Sequence, residues 1–561
     1  MNSSDLKNKG KKTLIFILGC IAGAVLFGIT FGYRIVNPTC DEWIFASGGD
    51  LAQHYLGWKY FRRTPWTFPL GLTDGLSSEG MVSCMYTDSI PLFAVFFKLL
   101  SPLLPETFQY IGLWELMSFV LMGGLSSILV NRFSRSTVFC LTGSVFYIMA
   151  PEVLLRALGH EALSGQWIVV AGILMWTYQG HEWKHRATPV IIWSLLCVLC
   201  VSVHVYFLMM MFLLMFGYVL TDICRKKRIL HSVSVCGFSG AASLLCMFLQ
   251  GAFYGDAGFV AGGLGGFSAN YNAFFNSYGY SEVLRPLKVC NKNTEGFGYL
   301  GLGMIVLGAL ALVSAVICCF RKDTSFFRRV REIFLRYGAV SGICLLVTAI
   351  SMFVAASPVG TFGDRVIYQI EYPYLINGAM MVFRASGRFI WVADYVLFTA
   401  FIAVTAKCDK KVFSFAVLSV CAAIQLWDIH GWISSLNSRY SDGVLVYNSP
   451  VQSAQWDEIT EDRDTFVFLP LTTDYLSHFS DYEAFAEYGC GKGMKLTSFY
   501  FARSDYPALA EYAQNCLDDL KAGNGMDNAV YIFLEPEAAE DIDSAFAEIL
   551  NIDGYTVALS K

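Results

Sequence analysis

Charge is scarce in this sequence. Lys, Arg, Asp and Glu together make up 15% of its 561 residues, against about a quarter in soluble domains. Proline is also scarce, 15 residues in all, and only Pro189 falls inside one of the long apolar runs, at its start. No paired CxxC…CxxC spacing is present, so the 17 cysteines do not read as a zinc framework. Most of them, such as Cys197, Cys200, Cys318 and Cys319, lie inside apolar runs and read as small buried hydrophobes. What is abundant is apolar surface: 55% hydrophobic residues and a mean hydropathy of +0.49. Runs of about 17–25 apolar residues, the length that crosses a hydrocarbon core, recur over the first 430 residues. This excludes a soluble enzyme, a disordered chain and a nucleic-acid binder. It also excludes a β-barrel, whose strands alternate apolar and polar residues.

The formal charge of -5 hides a division. From Ile433 to Lys561 there are 22 acids and seven basic residues, so the first 432 residues are basic and the tail is acidic. Two domains are expected: a transmembrane part at 1–432 and a soluble acidic part at 433–561. Lys7, Lys9, Lys11 and Lys12 precede a first apolar run, Thr13–Tyr33, too long for a signal-peptide core. Further runs lie near 107–131, 136–150, 164–180, 187–203, 204–221, 230–252, 298–319, 337–356, 388–406 and 411–428. Alternate connections are short and basic: 131–136, 181–186, 225–228, 321–336 and 407–411. The positive-inside bias then gives about eleven spans, a cytoplasmic N-terminus and an extracytoplasmic tail. Ser89–Leu100 is apolar but short and flanked by Pro91 and Pro102, so it reads as interfacial or re-entrant. The large outer loops are 34–105, 151–163, 253–297 and 357–387.

The tail has its own pattern. Thr465–Leu471, Ala529–Leu534 and Tyr555–Leu559 read as strands, and Tyr506–Ala522 and Glu537–Leu550 as helices. The expected class is therefore an all-α polytopic transmembrane bundle carrying a C-terminal extracytoplasmic α/β domain. That domain holds one histidine, His478, no phosphate loop and no GxSxG, and no chemistry is assigned to it. Cys40, Cys84, Cys290, Cys490 and Cys516 lie in polar segments and are the candidates for a disulfide, which the sequence does not pair.

The first outer loop holds the leading candidate site. Asp41, Glu42, Asp50 and His54 lie within fifteen residues of one another. Gly48 and Gly49 break the chain before Asp50, which is placed to N-cap a helix running to about Arg63. On it Asp50, Gln53 and His54 share one face. Tyr55, Trp58, Tyr60, Phe61 and Trp66 fit an interfacial helix, with Lys59, Arg62 and Arg63 toward lipid headgroups. A carboxylate here suits a general base acting on a hydroxyl acceptor, although a helix cap and solvated loop charges account for the same residues. A second cluster is Arg156, His160, Glu161 and Gln166, which a capping network also explains. Asp88, in YTDSIP, precedes the short apolar stretch. The third cluster is FRASGRFIW, with Arg384 and Arg388 four apart at the outer end of a span. Guanidinium forks match phosphate oxygens; an ion pair with Asp364, Glu371 or Asp394 is the plainer account. Arg285 and the glycine-rich stretch Gly255–Phe267 are weaker, and the latter lacks the spacing and lysine of a nucleotide loop.

This arrangement resembles the GT-C superfamily of polytopic glycosyltransferases. The shared features are a large first outer loop with an acid just after the first span, interfacial helices in it and a soluble outer domain at the C-terminus. GGDLAQHYLGWKYFRRTPWTFPLG, YTDSIPLF, LGHEALSGQW and FRASGRFIW also resemble an uncharacterised bacterial family of multi-span membrane proteins placed near that superfamily. The resemblance implies a polyprenyl-phosphate sugar donor, an extracytoplasmic glycan, lipid or protein acceptor, inversion at the sugar and a bacterial plasma-membrane location. It makes a first-loop acid the base: Asp50, or the rival pair Asp41–Glu42. The phosphate and substrate contacts fall to Gln53, His54, Asp88, Arg156, His160, Glu161, Arg384 and Arg388. One branch of the superfamily uses a divalent metal and most do not; with no compact ligand motif, no cofactor or metal is expected. Two rivals stay open: a transporter of a lipid-linked glycan, and a non-catalytic envelope protein.

Overall fold

The computed structural model describes residues 3–157, 159–178, 183, 185–226, 228–255, 263–290, 294–320, 324–408, 410–441, 445–471, 478–501 and 505–561. Residues 256–262, within the glycine-rich stretch, and parts of the basic connections (179–182, 184, 227, 321–323 and 409) lie outside the described residues.

The chain is mostly helical. In order come α1 (Ser3–Phe31), α2 (Glu42–Ser47), α3 (Asp50–Arg63), the short pair β1 (Leu72–Thr73) and β2 (Val82–Ser83), and α4 (Pro91–Leu99). Next are α5 (Ile111–Asn131), α6 (Thr137–Ile148), α7 (Pro151–Arg156), α8 (Trp167–Thr177), α9 (Ala187–Val203), α10 (Val205–Lys226) and α11 (Ile229–Leu249). Then follow α12 (Leu302–Phe320), α13 (Thr324–Ala356), the hairpin β3 (Val359–Phe362) and β4 (Arg365–Gln369), α14 (Tyr374–Val382), α15 (Ile390–Ala406), α16 (Lys411–Asp428) and α17 (His430–Tyr440). The tail adds α18 (Gln455–Ile459), β5 (Thr465–Leu469), α19 (Phe479–Lys492), β6 (Lys495–Leu496), α20 (Tyr506–Lys521), β7 (Ala529–Phe533), β8 (Ala547–Ile552) and β9 (Tyr555–Ser560).

Nearly every expected apolar run is a helix, but the expected eleven spans are not all there. Among the described residues six helices are long and apolar enough to cross a membrane: Lys9–Phe31, Ile111–Asn131, Val205–Arg225, Ile229–Leu249, Ser386–Ala406 and Lys411–Asp428. Thr137–Ile148, Ala187–Val203, Leu302–Ser314 and Val340–Ala356 are apolar but shorter. At 1.5 Å per residue a 12-residue helix such as α6 is only about 18 Å long, well short of a core about 30 Å thick. The expected loop at 321–336 is largely helical, the opening turns of α13.

Two compact units divide the chain. The first comprises residues 1–37, 111–244 and 262–444, and the second 38–110, 245–261 and 445–561. The expected boundary near 432 is thus close in position but different in kind: the acidic tail folds together with the first long loop.

In the first unit α1 and α5 pack closely because glycines let their backbones meet. A Cβ on Gly19 would fall on the Gly123 carbonyl, and one on Gly23 on the Phe119 carbonyl. The spacing Gly19-xxx-Gly23 is the small-residue seam by which apolar helices approach where no water drives them together. The Ser127 hydroxyl seals the seam on the Ile15 carbonyl at 3.1 Å. Gly23→Leu should force the helices apart and cost about 3 kcal/mol, read as a lowered unfolding midpoint of the detergent-purified protein; an unchanged midpoint would refute the seam.

In the second unit a five-stranded sheet has the order β6-β5-β7-β9-β8, parallel at β6–β5–β7 and antiparallel beyond. The helix expected at 537–550 is a correction: β8 occupies its second half. Asp553 and Gly554, both at positive φ (51° and 88°), make the tight turn that pairs β8 with β9. The Asp553 carboxylate accepts the backbone N–H groups of Gln452 and Ser453 and the Trp456 indole N–H, at 2.7–2.9 Å. Cys40, Cys84, Cys290, Cys490 and Cys516 are free thiols.

Candidate functional site

The second unit assembles around α3. This helix begins at Asp50 itself, one residue earlier than it would with Asp50 as its cap. Gly49 is the N-cap, and no side chain caps the helix. Gly48 and Gly49 sit at φ 60° and 67°, a double left-handed step that only glycine takes without strain. Ten of the fourteen α3 residues are buried. The tail encloses it: the Tyr60 hydroxyl donates to the Met494 carbonyl (3.2 Å) and the Gln53 amide to the Tyr500 carbonyl (2.9 Å). The Arg62 guanidinium is bound by Ser101 and the carbonyls of Leu104 and Pro105, and Arg63 pairs with Glu106 at 3.2 Å. Neither is reserved for a headgroup. The apolar outer face belongs instead to α4, where Leu92, Phe96 and Leu99 are exposed.

At the head of α3 the structure brings in a residue that sequence reasoning passed over. The Glu483 carboxyl, from α19, lies against the Gly48–Gly49 turn and accepts the Gly49 N–H. Its side chain is 8% exposed, and its Oε1 has no hydrogen-bond partner. Burial pushes this carboxyl up to about 8, and the neighbouring charge of Asp50 adds to the rise. Nothing near Glu483 in sequence resembles a site; only the packing of α19 on α3 finds it. Glu487, one turn on, is also raised by burial and is held by Tyr447, near Lys59 and Asp41.

The other first-loop candidates separate. Asp41 accepts the Tyr55 hydroxyl at 3.0 Å, and burial with this bond raises the Tyr55 phenol. Glu42 opens α2. His54 Nε2 faces Asp88 Oδ2 at 4.0 Å, and Asp88 sits at positive φ (49°). The His54–Asp88 pair offers two atoms of the kinds that ligate divalent ions.

A stability consequence follows for Glu483. An acid raised in the folded state binds its proton there at pH values where the unfolded chain has lost it, so stability falls as pH rises from about 4.5 toward about 8. Glu483→Gln should flatten that slope, leaving the variant more stable than wild type by on the order of 2 kcal/mol at pH 8.5. Unfolding midpoints of both proteins from pH 5 to 9 check this.

In the first unit the second and third clusters converge on one carboxylate. Arg156 Nη2 lies 3.1 Å from Glu295 Oε2, and Arg388 Nε donates to the same oxygen. The two guanidinium side chains are 7% and 9% exposed, and Glu295 is 18% exposed. Burial would raise the Glu295 carboxyl, but Arg388 and Arg156 outweigh it and hold it well below the usual carboxylate range. The triad carries one net positive charge. Arg388 also lies over the Tyr206 ring at 4.6 Å, Arg384 over Phe267 at 5.8 Å, and the rings of His160 and His204 sit 5.6 Å apart. Glu161 is buried; its backbone carbonyl accepts the Trp114 indole N–H at 2.8 Å. No sequence motif points to Glu295: it lies in a polar loop without pattern.

Six membrane-length helices and a small mixed sheet domain define the class, a polytopic membrane protein with a C-terminal α/β domain. Residues 20–430 match the family model described as Domain of unknown function (DUF6311), and residues 455–560 match the DUF6311 C-terminal domain. The chain belongs to the DUF6311 family. No curated protein matches it.

Proposed function

We propose that the protein is a membrane glycosyltransferase that moves a sugar, with inversion, from a polyprenyl-phosphate donor to an extracytoplasmic glycan, lipid or protein acceptor of a bacterial cell envelope. The observation that carries this reading is the carboxyl pair Asp50 and Glu483 at the head of α3. Burial holds the Glu483 carboxyl raised beside the charge of Asp50, and paired acids can take different roles. Asp50 removes the acceptor's proton as its oxygen attacks the anomeric carbon; Glu483, carrying a proton at neutral pH, holds the turn in place.

The test is a donor assay on the purified protein in nanodiscs. Undecaprenyl-phosphate sugars are offered with an envelope extract as acceptor, and free lipid phosphate is followed. Release supports the reading. A folded protein that releases none from any donor overturns it and favours a transporter of lipid-linked glycans, the second reading, for which Glu115 and Asp394 buried inside membrane-length helices speak.

A further inference from the structure

Within the first unit, Glu152 near the start of α7 and Asp394 in the second turn of α15 both lie in the interior, at 1% and 0% exposure. Each lies in the other's electrostatic reach. All four carboxyl oxygens are without a hydrogen-bond partner, and among the described residues neither side chain forms a salt bridge. The guanidinium one turn along α7, Arg156, is engaged by Glu295 instead. Two acids so placed are costly unless something neutralises them. A proton on each would also neutralise them; only a bound cation makes stability depend on which ion is present.

The surroundings are rich in oxygen. Gln166 donates its amide to the Glu152 carbonyl at 3.2 Å and accepts the Tyr395 hydroxyl at 2.6 Å. Tyr395 stacks on Tyr147, whose hydroxyl pairs with Thr399 at 2.8 Å. Carboxylate, amide and hydroxyl oxygens select hard cations over soft ones. We propose that Glu152 and Asp394 form a buried binding site for one hard metal cation, an alkali or alkaline-earth ion. The site is independent of the transferase reading, involves none of its residues and would serve either reading by fixing α7 against α15.

The experiment uses the full chain in detergent and in nanodiscs. Unfolding midpoints are measured in choline chloride with chelator, then with sodium, magnesium or calcium at matched ionic strength; binding of radioactive sodium and calcium is measured in parallel. The expected result is a saturable rise in midpoint with one class of ion, and saturable binding of the same class. A response to sodium alone assigns an alkali ion, and one to calcium or magnesium a divalent ion. Asp394→Asn and Glu152→Gln should each weaken the binding more than tenfold. If either variant fails to fold, the other and the wild-type midpoints still decide. No ion-specific rise and no saturable binding in wild type would overturn the proposal, as would binding that both folded variants retain.

Discussion

Asp50→Asn should lower polyprenyl-phosphate release in the donor assay by about a thousandfold, while leaving the fold intact. A positioned general base contributes roughly 10²–10⁴-fold, and the amide keeps the carboxylate's shape without its basicity. The fold should survive because Asp50 is not the cap of α3; Gly49 is. Asp41→Asn should behave differently. Asp41 is bound to the Tyr55 hydroxyl at 3.0 Å, so the change weakens one hydrogen bond, worth about 1 kcal/mol, and activity should fall less than about tenfold. The order Asp50 far below Asp41 is what the proposed role of Asp50 as base requires. The reverse order would make Asp41–Glu42 the base and reduce the Asp50–Glu483 pair to packing. Equal activity of all variants would remove the first loop from the chemistry altogether. Glu483→Gln belongs in the same series: it keeps the neutral hydrogen-bonding group that Glu483 presents at pH 7 and should retain most activity there, while Glu483→Ala opens the Gly48–Gly49 turn and should not.

Much of the helical framework was legible because apolar periodicity and basic connections are local signals. α5, α9, α10, α15 and α16 fall within a few residues of their expected runs. The count of crossings was less legible, since apolar character marks burial as well as lipid exposure: α6 and α8 are apolar, short and largely buried within the protein. The tail failed at one element for a definite reason. The apolar spacing of 537–550 fits a helix, but the Asp553–Gly554 turn commits 547–560 to a hairpin, and pairing with β7 completes a sheet. That dipeptide was visible and outweighs the spacing. The site was half legible. Asp50 opens α3, and Arg156 and Arg388 are functional-looking because they are buried and charged. Their partners Glu483 and Glu295 come from 433 and 139 positions away in the chain, respectively from Asp50 and Arg156, and no local pattern reports such distances.

Glu295→Gln should be among the most damaging single changes in the first unit. The carboxylate serves two guanidinium groups at once, and its removal leaves both buried without a counter-charge. Breaking one side of a buried ion pair costs about 3–5 kcal/mol. Arg156→Met should cost less, because it leaves Arg388 and Glu295 as a matched pair. The damage should also be ligand-dependent. With two unbalanced cations the site gains affinity for anions, so inorganic phosphate should raise the unfolding midpoint of Glu295→Gln more than that of wild type. Scanning both proteins in phosphate and in chloride at equal ionic strength separates the outcomes. A variant rescued by phosphate marks the triad as an anion site held in check by Glu295. A variant destabilised alike in both salts makes the triad a brace between α7 and the turn that precedes α15.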